Sequence, residues 1–306
     1  MATTSSISKN ALPLEAVNGR LIAFAWLGML LLSRLPQILL SETGVIDPAG
    51  WQTWWWIVIG AVLITLTYLW AAVRPLRGFF LVLTLIYVIS ALLGWLGQTQ
   101  IWNSWFGEGA PWTLTLLGDR LGVIFLGLCL AAVLALRGEK RRDYFLVFGK
   151  PNAPAFSWRG GEKSLPWTIA GPLFAVVLSV LIGAGVLAFN PVAGITISQV
   201  LPLLPGVFIL ALMNAFGEEL AYRAAPLSQL WQVVGSRQAI WLTAVWFGLG
   251  HYYGGVPSGV IGAVFLSLVA LLIGKAMLDT KGIAIPVFIH IWGDVIVYLV
   301  IALATI

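Results

Sequence analysis

The chain has 306 residues, of which 60% are hydrophobic and only 9% are charged, and its mean hydropathy is +0.95. Soluble globular domains carry about a quarter charged residues, so this composition excludes an ordinary soluble protein and indicates an integral membrane protein. The net charge is +5, and the single cysteine, Cys129, excludes a disulfide framework or a cysteine metal site within one chain.

Apolar segments follow one another along the chain, most of them close to the roughly 20 residues that a spanning helix needs. The first is preceded by polar residues without the pattern of a cleavable signal, so we expect this span to remain as an anchor. The segments are 21–40, 51–73, 79–96, 120–136, 167–189, 198–222, 238–253, 256–278 and 283–306. They predict an all-α, polytopic transmembrane helical bundle of about 8–9 spans.

Lysine and arginine residues fall almost entirely on one side of this predicted bundle. Basic residues in short loops mark the cytosolic side of a membrane protein. Placing the N-terminus in the cytosol puts the basic residues of the polar breaks there and leaves only Arg120 at an outer loop or its edge. We therefore expect a cytosolic N-terminus and an outward C-terminus. The same rule explains the GEKRR run at 138–142, so we expect no nucleic-acid partner.

The longest polar break, 137–166, divides the chain into two regions with different chemistry. Its centre, DYFLVFGK at 143–150, predicts a short amphipathic segment at the cytosolic interface, followed by a loop rich in proline and glycine. Residues 1–166 form an N-terminal membrane region of about four spans, in which Arg34 is the only strongly charged residue well inside a span. Residues 167–306 hold both histidines and most of the intramembrane acids.

The motif EELAYR at 218–223 places two acids and an arginine in an apolar span, where a charged side chain is costly unless it is paired or faces water. On a helix Glu219 and Arg223 share a face, so they can neutralise each other. Glu218 is rotated by about 100° from Glu219 and lacks that partner. This indicates a structural ion pair between Glu219 and Arg223, with Glu218 as the candidate general base.

Both histidines of the chain follow this motif. His251 ends the sequence FGLGH, and His290 begins the sequence HIWGD. Asp294 lies four residues after His290 on the same helical face, where its carboxylate can accept a hydrogen bond from the imidazole and fix the tautomer. Distances counted along the helices from the polar turns place Glu218 and His251 at similar depth, and His290 about 10 Å nearer the membrane surface.

Together, EELAYR, FGLGH and HIWGD resemble the EExxxR, FxxxH and HxxxN/D signatures of the CPBP family of intramembrane endopeptidases, which includes the type II CAAX prenyl protease. The resemblance covers 167–306 and implies hydrolysis of a peptide bond in a water-filled cavity open to the cytosolic leaflet. It also implies that Glu218 and His251 activate the attacking water, and that His290 and Asp294 stabilise the oxyanion. The expected partners are the lipid bilayer and a membrane-associated protein or peptide substrate, in a bacterial cell membrane.

Asp294 departs from the family pattern, because well-known members have asparagine there. An ionised Asp294 would repel an oxyanion, so this residue is protonated, orients His290, or helps to hold a metal. The family is often labelled metalloprotease, and Glu218, His251 and His290 could supply the three protein ligands of a catalytic zinc site. The chain has no HExxH pattern, and a metal-free glutamate mechanism fits the same residues. A divalent metal such as zinc therefore stays open as a cofactor.

Two other classes of function fit the same residues. In a proton- or ion-coupled transporter, Glu218, Asp294 and the histidines would form a relay, although the sequence has no inverted repeat. A non-catalytic immunity or scaffold protein would keep the residues for structure alone. Only the protease requires water access to Glu218, and it predicts that Glu218, His251 and His290 lie within about 5 Å of a common point.

Overall fold

The computed structural model of the protein describes residues 19–47, 50–156, 164–189, 196–254 and 258–304. In these ranges the secondary structure is helical apart from one isolated bridge between Pro154 and Pro166, which confirms the predicted all-α class. The expectations for the polar segment before the first span and for the centre of the loop at 157–163 lie outside the described residues.

Long apolar helices, separated by short turns rich in glycine and proline, make up the described fold. Short 3₁₀ segments precede α4 and α9, and a π-helical turn, Glu219–Ala224, joins α9 to α10. The helices are α1 Gly19–Leu31, α2 Leu35–Glu42, α3 Trp54–Leu69, α4 Arg77–Gly97, α5 Gln100–Phe106, α6 Trp112–Leu136, α7 Trp167–Phe189, α8 Ile197–Val200, α9 Leu204–Glu218, α10 Ala225–Leu230, α11 Ser236–Gly250, α12 Gly259–Thr280 and α13 Ala284–Leu303.

Six helical stretches in the described part of the chain are long and apolar enough to cross a membrane. The remaining predicted spans are shorter or broken, because α1 and α2 meet at a 56° bend and α3 and α11 have only 16 and 15 residues. A straight helix needs about 20 residues to cross the hydrocarbon core. The six stretches are Ala71–Gly97, Trp112–Leu136, Trp167–Gly185, Ile197–Leu230, Gly259–Thr280 and Ala284–Leu303.

One hydrophobic core joins the N-terminal region to the region that carries the motifs. Phe80 of α4 and Leu130 of α6 are fully buried in the same cluster as Leu227 of α10 and Met277 of α12. Helices α11 and α12 pack closely, since a Cβ at Gly248 would lie 2.3 Å from the carbonyl oxygen of Ala263. The two regions are therefore packed against each other, and the N-terminal helices can contribute to a site formed by the C-terminal ones.

The segment at 143–150 supports the start of α13, the helix that carries His290. It contains no helix, and its Tyr144 and Phe145 are buried in the main core. Its backbone docks on the turn between α12 and α13, where the Lys150 N–H donates to the Thr280 carbonyl at 2.6 Å and the Ile283 N–H donates to Val147 at 3.0 Å. These two backbone hydrogen bonds anchor the start of α13.

Candidate active site

Glu219 and Arg223 form a fully buried ion pair in the π-helical turn, with side-chain exposures of 0% and 2%. The Arg223 guanidinium also lies over the ring of Phe247, 4.8 Å from its centre. The same Glu219 oxygen that binds Arg223 accepts a hydrogen bond from His290 Nδ1 at 2.8 Å. This pair therefore connects the first motif to the other two, and π-helical turns of this kind are frequent at functional sites.

His290 is held by Glu219 and directs its other ring nitrogen towards two carboxylates. Because an ionised carboxylate can only accept, His290 Nδ1 carries the proton in this hydrogen bond. Nε2 lies 3.7 Å from Glu218 Oε2 and 3.6 Å from Asp294 Oδ1. The depth difference of about 10 Å between His290 and Glu218 is therefore wrong, because the turns used as reference points need not lie at the same height.

His251 follows the last residue of α11 and is held by the preceding helical turn. Its Nδ1–H donates to the Phe247 carbonyl oxygen at 2.9 Å, and the two rings lie 4.4 Å apart between their centres. Since a carbonyl oxygen only accepts, the neutral ring has its lone pair on Nε2. His251 can therefore accept a proton or a hydrogen bond from water through Nε2.

Asp294 belongs to a polar chain that the sequence did not reveal. Its Oδ2 accepts a hydrogen bond from Asn214 Nδ2 at 2.9 Å, and Asn214 Oδ1 in turn accepts one from the Arg120 guanidinium. The Arg120 guanidinium also lies 5.3 Å from the ring centre of Tyr298. Arg120 thus acts on Asp294 through Asn214, which fixes the orientation of the Asp294 carboxylate.

The expected position of Arg120 at an outer loop or its edge is wrong. Helix α6 begins at Trp112, eight residues earlier than the predicted span, so Arg120 lies about two turns inside the helix. Close approach of α6 and α9 brings it to Asn214, since a Cβ at Gly217 would lie 3.0 Å from the backbone nitrogen of Ile124. Helical spacing offers one signal for the missed residues, because Asn214 precedes Glu218 by four positions.

A cavity of about 300 Å³ is lined by the side chains that the motifs supply, Glu218, His251, His290 and Asp294, together with Asn214. A second cavity, of about 270 Å³, also has Glu218 and His251 in its wall. Glu218 thus lies at the junction of the two cavities. With a side-chain exposure of 14%, it is more accessible than the buried Glu219.

Both cavities extend towards the end of the bundle where α11 finishes. The larger one reaches Gly254, and the smaller one reaches Thr53 and Gly250. The basic residues Arg237 and Lys281 lie at the opposite ends of α11 and α12. The cavities therefore point away from these basic turns.

The donor atoms do not fit the zinc site that the sequence left open. In the described ranges, no group of three or more His, Cys, Asp or Glu side chains is placed to hold a metal ion. His290 Nδ1 is bonded to Glu219, and His251 Nδ1 is bonded to a backbone carbonyl. The arrangement of Glu218, His251 and His290 is that of a hydrogen-bonded cluster, and the chemistry below uses protein groups and water.

The arrangement defines a class of protein: a helical membrane bundle in which acids and histidines from three helices surround an internal cavity. A family model, "Type II CAAX prenyl endopeptidase Rce1-like", matches residues 199–296, a range that contains all three motifs. This match is consistent with the CPBP family and confirms the resemblance seen in the motifs. No curated protein and no solved structure matches the chain. The match and the six apolar helices together indicate an integral membrane protein.

Proposed function

We propose that the protein is an intramembrane endopeptidase that hydrolyses a peptide bond of a membrane-associated protein or peptide. The observation that carries the proposal is the placement of Glu218, His251, His290 and Asp294 around one cavity. Ionisable side chains inside a membrane bundle are costly and mark functional sites. The family match over 199–296 supports the protease class for this cavity.

Glu218 is the general base of the proposed reaction, and His251 binds the attacking water. As the water oxygen bonds to the carbonyl carbon, its proton passes to the Glu218 carboxylate. The C–N bond then breaks, and Glu218 returns the proton to the leaving amine, so that protons balance over the cycle. His251 assists because its Nε2 lone pair can accept a hydrogen bond from the same water.

His290 stabilises the negative charge that forms on the substrate oxygen. Glu219 holds its Nδ1, which leaves Nε2 directed towards Glu218 and Asp294 at 3.7 and 3.6 Å. A protonated Nε2 in this position donates to the developing oxyanion, and such fixed donors contribute strongly to catalysis. Asp294, positioned by Asn214, orients the His290 ring from the other side of Nε2.

The Asp294→Asn variant should keep cleavage within about ten-fold of the wild-type rate, since one such contact is worth little more than a kcal/mol when it is replaced by a neutral acceptor. Asparagine retains an oxygen that accepts from Asn214, and it removes a charge that would repel an oxyanion. Asp294→Ala should lose more activity because it loses the acceptor for Asn214 as well. Initial rates on one reporter substrate compare the two variants, and equal losses would contradict an orienting role for Asp294.

We further propose a bundle of about 8–9 passes in a bacterial cell membrane, with the N-terminus in the cytosol, on the basis of the lysine and arginine distribution. In this orientation Arg237 and Lys281 face the cytosol, and Tyr253, between α11 and α12, faces the outside. The cavities, which reach Gly254, then open towards the outer side. This orientation and the cytosolic opening implied by the family resemblance do not fit together, so substrate enters from the outer end.

Cysteine labelling in intact cells tests this orientation. In a Cys129→Ala background, the Tyr253→Cys variant should react with a membrane-impermeant maleimide added outside. The Arg142→Cys variant, at an exposed position on the opposite side, should react only after permeabilisation. The reverse pattern would contradict the orientation and would restore a cavity that opens to the cytosol.

Reconstitution separates the protease from a transporter. The purified protein in liposomes, incubated in H₂¹⁸O with a library of membrane-tethered reporter peptides, should produce fragments whose new carboxyl group contains one ¹⁸O atom. A transporter with a relay of Glu218, Asp294 and the histidines would instead move protons or ions across the liposome membrane without new peptide ends. Ion flux without any cleaved peptide would overturn the protease proposal.

A further inference from the structure

One wall of the smaller cavity beside Glu218 comes from the N-terminal region, outside the matched residues 199–296. This wall includes Trp56 of α3 and Tyr87 of α4, together with Arg34 at the junction of α1 and α2. Arg34 and Glu218 are thus charged residues of opposite sign in the lining of one cavity. The family match does not extend to Arg34, so its role has to be argued from its surroundings.

Three aromatic side chains hold the helix break at which Arg34 lies. The break leaves the carbonyl oxygens of Leu32 and Ser33 available, and such groups need partners inside a membrane. The Trp246 Nε1–H donates to Leu32 at 3.1 Å, and the Tyr87 hydroxyl donates to the same oxygen. The Trp56 Nε1–H donates to Ser33 at 2.8 Å. The break is therefore anchored to α3, to α4 and to α11, the helix that ends next to His251.

Arg34 has hydrogen-bond donors that these contacts do not use. Its Nη1 donates to Gln37 Oε1 at 2.8 Å, and its guanidinium lies 4.9 Å from the centre of the Trp56 ring. No ion pair joins Arg34 to a carboxylate in the part of the chain that the structure describes. A guanidinium has five N–H groups in a planar fork that matches a carboxylate. Arg34 is thus a cation inside a membrane bundle whose remaining donors face a cavity.

We propose that Arg34 binds a carboxylate of the substrate and so selects peptides in which a negative charge lies close to the cleaved bond. The inference rests on the proposed peptidase function, since Glu218 separates the two cavities and each can take the peptide on one side of the scissile bond. The carboxylate is either the free C-terminus of the substrate or an acidic side chain. Arg34 is then a specificity-determining residue, whereas Glu218 performs the chemistry.

Binding to a variant that cannot cleave tests this proposal without relying on turnover. The full chain carrying Glu218→Gln is incubated in detergent with three matched libraries of N-acylated decapeptides: one with a free C-terminal carboxylate, one amidated, and one amidated with an internal aspartate. We expect the carboxylate library or the aspartate library to bind at least about ten-fold more tightly than the neutral amide library, as charge-assisted hydrogen bonds are the stronger ones. The library that binds more tightly identifies the source of the carboxylate.

Adding Arg34→Gln to this variant should remove the preference and leave binding of the neutral amide library unchanged. Arg34→Lys should restore only part of the preference because lysine lacks the planar fork. Arg74→Gln is the matched control, since Arg74 is exposed in the 3₁₀ segment and does not line this cavity. Thermal unfolding of each variant reports whether it is folded.

Equal binding of all three libraries by the Glu218→Gln protein would overturn the proposal for Arg34. So would a preference that survives Arg34→Gln in a folded protein. These outcomes are separate from the peptidase function, which fails only when the wild-type protein cleaves none of the libraries. A charge preference without cleavage would keep the carboxylate site and refute the peptidase.

Discussion

Replacing Arg223 by alanine should destabilise the protein by about 3–5 kcal/mol, the range measured when one partner of a buried ion pair is removed. Arg223 is 2% exposed, and its partner Glu219 is 0% exposed. Without the guanidinium, the Glu219 carboxylate would remain buried with only the hydrogen bond from His290 to compensate its charge. The free energy of unfolding in mixed detergent micelles measures the effect.

Two comparisons show whether the loss comes from the buried pair. Arg142→Ala, at an exposed ion pair with Asp143, should change stability by no more than about 0.5 kcal/mol. The double variant Arg223→Met/Glu219→Gln should be less destabilised than Arg223→Met alone because it leaves no uncompensated charge in the bundle. A double variant as unstable as the sum of its single variants would show that the two side chains do not act as a pair.

Local spacing was enough to predict the relations within each helix of the site. Glu219 and Arg223 are four positions apart and do pair, and the one-residue offset of Glu218 does give it different surroundings, in the wall of the cavity. His290 and Asp294, also four apart, approach each other to 3.6 Å. Such relations depend on helical geometry alone, so they follow from the sequence once the segments are recognised as helices.

Relations between helices were not predictable in the same way. Arg120 was assigned to a loop edge because apolar windows locate a span but not the residue at which its helix begins. The contact of Arg120 with Asn214 depends on the close approach of α6 and α9 at Gly217, and no single segment encodes that contact. The bend between α1 and α2 depends on bonds from three other helices, so the path of Arg34 into the cavity could not be derived from residues 21–40.

The central claim is that Glu218 performs the chemistry while its neighbour Glu219 holds the site together. The Glu218→Gln variant keeps the size and hydrogen-bonding shape of the side chain but removes the base. A general base typically contributes about 10²–10⁴ to the rate, so cleavage of a membrane-tethered reporter should fall by at least 10². Stability should change little because Glu218 lines a cavity and forms no buried ion pair with an arginine or lysine in the described ranges.

The most direct measurement compares reporter cleavage by the wild type, Glu218→Gln and a control, Glu108→Gln, at an exposed acid between α5 and α6. The three proteins are reconstituted in liposomes at equal amounts, and their unfolding temperatures are recorded in parallel. We predict that only Glu218→Gln loses cleavage, with an unfolding temperature close to that of the wild type. Cleavage by a folded Glu218→Gln protein at the wild-type rate would contradict the proposed role of Glu218.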